Sequence, residues 1–171
     1  MSTWLAVRVI GTFVFLIMAF FFVLTYEPIL KVVDIGAGLA QFSAWMSYGV
    51  LTVIGALGGF PVHKIGTIMG SGAFEVDVAP ACSGAVPTSI YLAAVLAFPT
   101  SWRSRGFGTV LGIVAIQLVN IVRVCGLFLI GLFFHEIFHD THVYVAQALV
   151  VCVAVALWLF WASRYADAPA H

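Results

Sequence analysis

Apolar residues form long uninterrupted stretches along this chain, and polar residues gather in short segments between them. A helix needs roughly 20 mostly apolar residues to cross the hydrocarbon core of a bilayer. Four stretches approach or exceed that length, and we predict membrane helices at about 8–26, 83–99, 108–134 and 142–162. Of the 171 residues, 63% are hydrophobic and only 8% are charged, too few charges to cover a soluble domain. The pattern therefore predicts a single all-α polytopic membrane bundle over residues 1–171.

A fifth apolar segment, residues 35–58, has a different pattern. Its large apolar side chains recur every three to four positions, with Gln41, Ser43, Ser47 and Thr52 between them. That spacing favours an amphipathic helix that lies on the outer membrane face or re-enters it. A fifth membrane crossing is the alternative.

Residues 61–80 change from the helical period to a period of two. Apolar and acidic residues alternate near the end of this segment: Phe74, Glu75, Val76, Asp77 and Val78. The run Gly70-Ser71-Gly72 has the residue types of a tight turn, so we predict a short β-hairpin. The hairpin would lead the chain directly to Cys82.

The positions of the basic residues predict the orientation in the membrane. Positively charged residues lie close to the ends of the predicted helices: Arg8, Arg103, Arg105 and Arg164. Cytoplasmic loops of membrane proteins are enriched in such residues. Both termini are then cytoplasmic, and residues 27–81 and 135–142 face the outside.

Arg123 is the most unusual residue of the predicted membrane segments. Together with Gln117 and Asn120 it forms a polar stripe with a spacing of three, on one face of the third predicted helix. An arginine at membrane depth is costly unless it faces the bundle interior or a watery cleft. A structural alternative is an arginine that reaches a lipid headgroup or pairs with an acid.

Cys82 stands in "VAPACSG", where the hairpin meets the second predicted helix. Ser83 can cap that helix, and a thiol beside a helix N-terminus lies near backbone N–H groups and the positive end of the helix dipole. Both features favour a thiolate, and the N–H groups could hold an oxyanion. A buried thiol without chemistry is the alternative. Cys125 and Cys152 lie within apolar runs and are most simply interpreted as core residues.

The segment "FFHEIFHDTH" concentrates histidines and acids in an otherwise apolar chain. His135, Glu136 and His139 match the HExxH pattern of zinc proteases, with Asp140 or His142 as a further ligand close by in sequence. His142 also begins the fourth predicted helix, at the outer level where Cys82 begins the second. A histidine there could act as general base and then as general acid for a thiol nucleophile. His135 and His139 are the rival candidates for that base, and we expect no metal or cofactor.

Three motifs in this order resemble those of the exosortase/archaeosortase family of membrane-embedded cysteine transpeptidases. They are "VAPACSG" with Cys82, "LVNIVRV" with Arg123 and "HVYVAQALVV" with His142, and they span about residues 60–162. The last motif and its tail are most similar to the short exosortase subtype called H. Many members have an Ile/Leu-Arg pair after CSG, whereas this chain has Ala85-Val86-Pro87.

The resemblance implies a cysteine transpeptidase in the bacterial cytoplasmic membrane, with membrane lipid around it and its site facing outward. Such enzymes recognise exported proteins by a C-terminal signal that combines a short motif, a transmembrane helix and a basic cluster. By resemblance, Cys82 attacks the substrate carbonyl to form a thioester. His142 moves the proton, Arg123 holds the thiolate or the oxyanion, and Ser83 and Asn120 support them.

Two other classes of function remain open from the sequence alone. A zinc-dependent membrane protease would use Glu136 and the HExxH histidines. A non-enzymatic assembly or transport protein would use Arg123 only for structure or lipid contact. Nucleic acid is not an expected partner, because the formal net charge is zero and the chain has no basic run.

Overall fold

In the computed structural model, which describes residues 3–32, 34–72, 74–138 and 146–165, the chain is mainly helical with one small sheet. The described helices are α1 Thr3–Thr25, α2 Glu27–Leu30, α3 Ile35–Gly58, α4 Ala85–Ala97, α5 Trp102–Phe133 and α6 Ala146–Arg164. The strands are β1 His63–Ile65, β2 Ile68–Ser71 and β3 Phe74–Asp77. Short 3₁₀ turns occupy Pro80–Cys82 and His135–Ile137.

Four of the described helices are long and apolar enough to cross a membrane, which confirms the predicted all-α polytopic bundle. They are Thr3–Thr25, Ile35–Gly58, Trp102–Phe133 and Gln147–Arg164. This set includes α3, and whether α3 crosses the membrane or lies on its outer face stays a prediction. It omits α4, which has 13 residues. At about 1.5 Å per residue, α4 is shorter than the hydrocarbon core is thick.

The helix α1 has no buried residue, although nearly all of its side chains are apolar. Its two internal hydroxyls are bonded to their own helix: Thr12 donates to the Arg8 carbonyl at 2.8 Å and Thr25 to the Phe21 carbonyl at 2.7 Å. An apolar exterior with internally satisfied polar groups is what a lipid environment requires.

The buried face of α3 is made of small residues rather than of its large apolar ones. It consists of Gly36, Ala40, Ser43, Ala44, Ser47, Leu51 and Gly55. The large side chains Phe42, Trp45 and Val53 are exposed. The sequence predicted an amphipathic helix at a membrane surface, and the exposed position of these large side chains is compatible with contact with lipid. Small residues let helix backbones approach closely, which is the packing typical of membrane helices.

The chain divides into two compact units, which share α5 and α6 between them. In the first unit, Tyr91 of α4 donates a hydrogen bond to the Gly108 carbonyl of α5 at 3.1 Å. The indole N–H of Trp161 on α6 donates to the Ser104 carbonyl at 3.1 Å. A Cβ at Gly112 would overlap the ring of Tyr91, so this glycine permits the close approach of α4 and α5.

The second unit contains α3, the sheet and the C-terminal half of α5. The strands form an antiparallel sheet in the order β1-β2-β3, with Met69 opposite Val76. The predicted hairpin is therefore present as part of a three-stranded meander. Gly70 and Ser71, which we placed in the turn, lie within β2, and the glycines with positive φ at the two turns are Gly66 and Gly72.

One face of the sheet belongs to the core of this second unit. Met69 and Val78 are buried there against α3 and α5, in a cluster completed by Ala40, Ala44, Leu51, Ile121, Val124, Cys125 and Phe128. The opposite face carries Glu75 and Asp77, which are exposed. The alternation seen in the sequence therefore corresponds to an inner and an outer face of β3.

Candidate active site

Cys82 lies in a tight turn between β3 and α4. Its N–H donates to the Ala79 carbonyl at 2.8 Å, and the Ser83 N–H donates to the Pro80 carbonyl at 3.2 Å. Gly84 follows with φ +79°, a left-handed conformation that favours glycine. The backbone around Cys82 is therefore fixed by hydrogen bonds within the turn, before α4 begins.

Ser83 ties this turn to α4. Its hydroxyl donates to the Pro80 carbonyl at 2.6 Å and accepts the Ala85 N–H at 3.2 Å, the bond expected of a cap. However, the helix begins at Ala85 rather than at residue 83, and the N–H groups of Cys82 and Ser83 are both engaged within the turn. These two groups are therefore not available to an oxyanion, and its binding by N–H groups at the start of the helix stays a prediction.

Asn120 and Gln117 on α5 hold the same turn from the other side. Asn120 donates from Nδ2 to the Cys82 carbonyl at 3.0 Å and contacts Ser43 Oγ at 3.3 Å. Gln117 donates from Nε2 to the Ser83 carbonyl at 3.3 Å. Two residues of the polar stripe predicted on α5 thus anchor the successive carbonyls of Cys82 and Ser83.

Arg123, one turn farther along α5, lies beside Cys82 in a single open cavity. The cavity is lined by Val76, Asp77, Val78, Cys82, Arg123, Val124 and Leu127. Arg123 is only 8% exposed, and its Nε is buried without a hydrogen-bond partner among the described residues. A buried cation with unused donors can attract an anion that enters the cavity.

Asp77 is the acid of this cavity, and it does not neutralise Arg123. Its carboxylate accepts the Thr67 hydroxyl at 2.6 Å, which holds it against the sheet. The single ion pair in the described part of the chain joins His63 and Glu75, at 3.4 Å. The residues that line the cavity thus include a cysteine, an arginine and an aspartate.

A comparison with protein families identifies the chain at this point. The family model described as transmembrane exosortase (Exosortase_EpsH) matches residues 2–162. The chain belongs to the exosortase family. The resemblance noted in the sequence is thereby confirmed at the level of the family, and the assignment to the short H subtype stays a prediction. No significant match was found among curated proteins or among solved structures.

The three predicted catalytic residues of this exosortase are placed only in part. Cys82 and Arg123 line the same cavity, whereas His142 lies outside the described residues. His139 also lies outside them. His135 is exposed in the 3₁₀ turn after α5, with its ring centroid 6.1 Å from that of Phe74.

The zinc hypothesis gains no support from the described part of the exosortase. The HExxH segment begins in a 3₁₀ turn after α5 has ended at Phe133, rather than within a long helix. No group of three His, Cys, Asp or Glu residues suited to a metal ion occurs among the residues described.

The other two cysteines differ from each other. Cys125 is buried and its thiol contacts the Ser47 carbonyl at 3.8 Å, as expected of a core residue. Cys152 is exposed on α6, so its interpretation as a core residue is wrong. Since α6 is among the candidate membrane spans, lipid is the expected neighbour of this thiol.

Sequence reasoning missed two contributors to the site, Ser43 and Asp77, and misassigned the contact of a third. Ser43 was interpreted only as a polar position of an interfacial helix, although its spacing of four from Ser47 marks the small-residue face. Asp77 was noted only as an acidic position of the predicted hairpin and as one of several acids that could pair with Arg123. Asn120 was expected to orient Arg123, but its described bonds go to Cys82 and Ser43.

Proposed function

We propose that this exosortase is a cysteine transpeptidase that cleaves the C-terminal sorting signal of exported proteins at the outer face of the membrane. The observation that supports this most directly is the cavity that brings the Cys82 thiol and the buried Arg123 guanidinium together. A cation that is buried without a partner among the described residues costs stability. Stabilisation of the negative charge that develops during a reaction would explain why a buried cation is present here.

In the proposed reaction, the Cys82 thiolate attacks the carbonyl carbon of the scissile peptide bond. The carbonyl oxygen becomes an oxyanion, which Arg123 stabilises because it lines the same cavity as Cys82 and carries a positive charge. The C–N bond then breaks, His142 delivers a proton to the leaving amine, and a thioester remains on Cys82. An acceptor nucleophile attacks this thioester, with His142 taking up the acceptor's proton, and the Cys82 thiolate is regenerated.

Arg123 has the largest electrostatic share in this scheme. The N–H groups of Cys82 and Ser83 are engaged within their turn, and Arg123 is the cationic donor that lines the same cavity as the nucleophile. A preorganised donor in a site screened from water contributes on the order of 3 kcal/mol to the transition state. Asn120 and Gln117 contribute by holding the carbonyls of Cys82 and Ser83, which directly follow the nucleophilic side chain along the backbone.

The substrate class follows from the family and from the apolar surroundings of the site. Helices of this chain are apolar over lengths that span a bilayer, so a substrate helix could lie in the same membrane and present the bond before it to Cys82. We infer a location in the bacterial cytoplasmic membrane, with the site facing outward and both termini cytoplasmic. The arginines Arg8, Arg103, Arg105 and Arg164 lie at the helix ends away from Cys82, and such residues are enriched on the cytoplasmic side.

The proposal is tested by comparing the C-termini of exported proteins in cells that carry the parent protein or Cys82→Ala. The matched control is Cys152→Ala, which removes an exposed thiol elsewhere in the chain. We expect a set of exported proteins to keep its C-terminal helix and basic tail in Cys82→Ala cells, and to lose both in parent and Cys152→Ala cells. Identical C-termini in all three strains, with equal amounts of the membrane protein, would exclude the proposed cleavage.

A further inference from the structure

β3 is an edge strand whose outer side has no partner strand among the described residues. The sheet order is β1-β2-β3, and the Val78 N–H donates to the Thr67 carbonyl at 3.1 Å. In an antiparallel ladder, bonded and non-bonded pairs alternate. Residues 74, 76 and 78 therefore direct their backbone groups toward β2, while Glu75 and Asp77 direct theirs toward the open side.

This open edge ends at the candidate active site. Val76, Asp77 and Val78, at the end of β3, line the cavity that also contains Cys82 and Arg123. A peptide in extended conformation along β3 would therefore reach the Cys82 thiol without leaving the edge. The strand rises about 3.3 Å per residue, so its four residues match a peptide segment of about four residues.

We propose that the exosortase binds the segment of its substrate next to the scissile bond as an additional β-strand on the open edge of β3. This rests on the proposed function and deepens it: the recognised substrate is an extended peptide held through main-chain hydrogen bonds to Glu75 and Asp77. Addition of a strand to a sheet edge is a general mode of peptide recognition, in which the backbone provides affinity and alternate side chains provide specificity.

The residues of this edge fit a strand that binds a substrate peptide but does not pair with the same edge of a second protein molecule. Its two outward residues are acidic and exposed, and like charges oppose pairing of two identical edges. Both carboxylates have partners on the sheet itself, Glu75 with His63 at 3.4 Å and Asp77 with Thr67 at 2.6 Å. The backbone groups of β3 therefore remain the main recognition elements along this edge.

Two thiol-directed probes with the same reactive group test this proposal in the full-length protein, with Cys125 and Cys152 replaced by alanine. Methyl vinyl sulfone carries no peptide, and an acetyl-Ala-Ala-Ala vinyl sulfone can form main-chain bonds. We expect the peptide probe to alkylate Cys82 at least about tenfold faster, since a few net hydrogen bonds provide that much.

Glu75→Pro removes one outward N–H of β3, and it should abolish the advantage of the peptide probe without changing the rate of methyl vinyl sulfone. The matched control is Lys64→Pro, because Lys64 is the outward residue of β1, at the opposite edge of the sheet. Glu75→Ala removes only the carboxylate and should keep the advantage.

N-methylation of the peptide probe gives a second test that needs no variant of the protein. Since outward groups alternate along a strand, N-methylation at one set of alternate residues should remove the advantage, and N-methylation at the other set should keep it. Equal rates for the two probes, or an advantage that no N-methyl position changes, would overturn strand addition. Alkylation of Cys82 by methyl vinyl sulfone would still report on the catalytic proposal independently.

Discussion

Arg123 is the residue at which stability and function should separate most clearly. It is buried on α5, and its Nε has no hydrogen-bond partner among the residues that the structure describes. Replacing buried charges by apolar side chains of similar size is often neutral or stabilising. We therefore expect the free energy of unfolding of Arg123→Met in detergent to equal the parent's or to exceed it by up to about 2 kcal/mol, while substrate processing is lost.

A loss of stability in Arg123→Met of about 3 kcal/mol or more would mean that the arginine has a structural partner. That result would favour the non-enzymatic class of function. Val122→Ala is the matched control, because Val122 is the exposed neighbour on the same helix.

Replacement of Asn120, unlike that of Arg123, should lower the stability of the protein. It is fully buried, and its amide is bonded to the Cys82 carbonyl at 3.0 Å. Asn120→Leu leaves that carbonyl without its donor, so the free energy of unfolding should fall by about 1–3 kcal/mol and the reactivity of Cys82 should change with it. Leu118→Ala, on the exposed face of α5, should leave the reactivity unchanged. An unfolding temperature equal to the parent's would show that the amide does not hold the turn.

Among single residues, the sequence identified the polar side chains that are energetically costly at membrane depth. It missed those that are ordinary in their local segment. Arg123 and Asn120 stood out because polar groups at membrane depth need a reason. Ser43 and Asp77 did not, because a serine in a helix and an acid in a polar hairpin are ordinary there. Their importance arises from contacts with segments far away in sequence, such as the bond from Asn120 to Ser43.

At the scale of elements, α4 and α5 depend on one small residue at their contact. Gly112 of α5 faces the ring of Tyr91 on α4, with no room for a methyl group. Gly112→Ala should therefore destabilise the protein by about 1–3 kcal/mol, because overpacking forces the helices apart. Gly106→Ala is the control, since a Cβ at Gly106 meets nothing within 4 Å and the same helix gains propensity. Equal thermal unfolding of both variants would contradict this packing.

The α3 helix shows why its orientation could not be derived from periodicity alone. The spacing of its large apolar residues predicted an amphipathic helix, but it did not predict which residues pack against the rest of the chain. In lipid, large apolar side chains remain outside and small residues such as Ala40 and Ala44 pack inward. The existence of the helix at 35–58 agrees with the residues observed, Ile35–Gly58, because its length and composition are independent of the solvent.

The β-hairpin was predicted where the period of two was clear, and its first strand was missed. β3 shows the expected alternation of inner and outer residues. β1 has only three residues, His63–Ile65, too few for a periodic pattern to emerge. Gly70 marks a position within β2 that has no room for a side chain, because the His63 side chain lies above it. A Cβ at this position would lie 2.5 Å from His63 Nε2.

At the scale of the whole molecule, the distribution of arginines predicts which side of the membrane each loop faces. The test uses two exposed positions in a background without other cysteines: Ile65→Cys in β1, 74% exposed, and Trp102→Cys at the start of α5, 79% exposed. On intact cells, a membrane-impermeant maleimide should label Ile65→Cys and should label Trp102→Cys only after permeabilisation. The reverse pattern would place the sheet in the cytoplasm and contradict an outward-facing site.

The central claim is that Cys82 and Arg123 act together, and the rate of Cys82 alkylation tests it most directly. The measurement uses the protein with Cys125 and Cys152 replaced, a small membrane-impermeant thiol reagent, and the variants Arg123→Met and Val122→Ala. We expect alkylation to be at least about tenfold slower in Arg123→Met and unchanged in Val122→Ala, since Arg123→Met removes the positive charge from the cavity that Cys82 lines, where negative charge on the attacking sulfur would be stabilised. Equal rates in all three proteins, with their folds intact, would contradict the account.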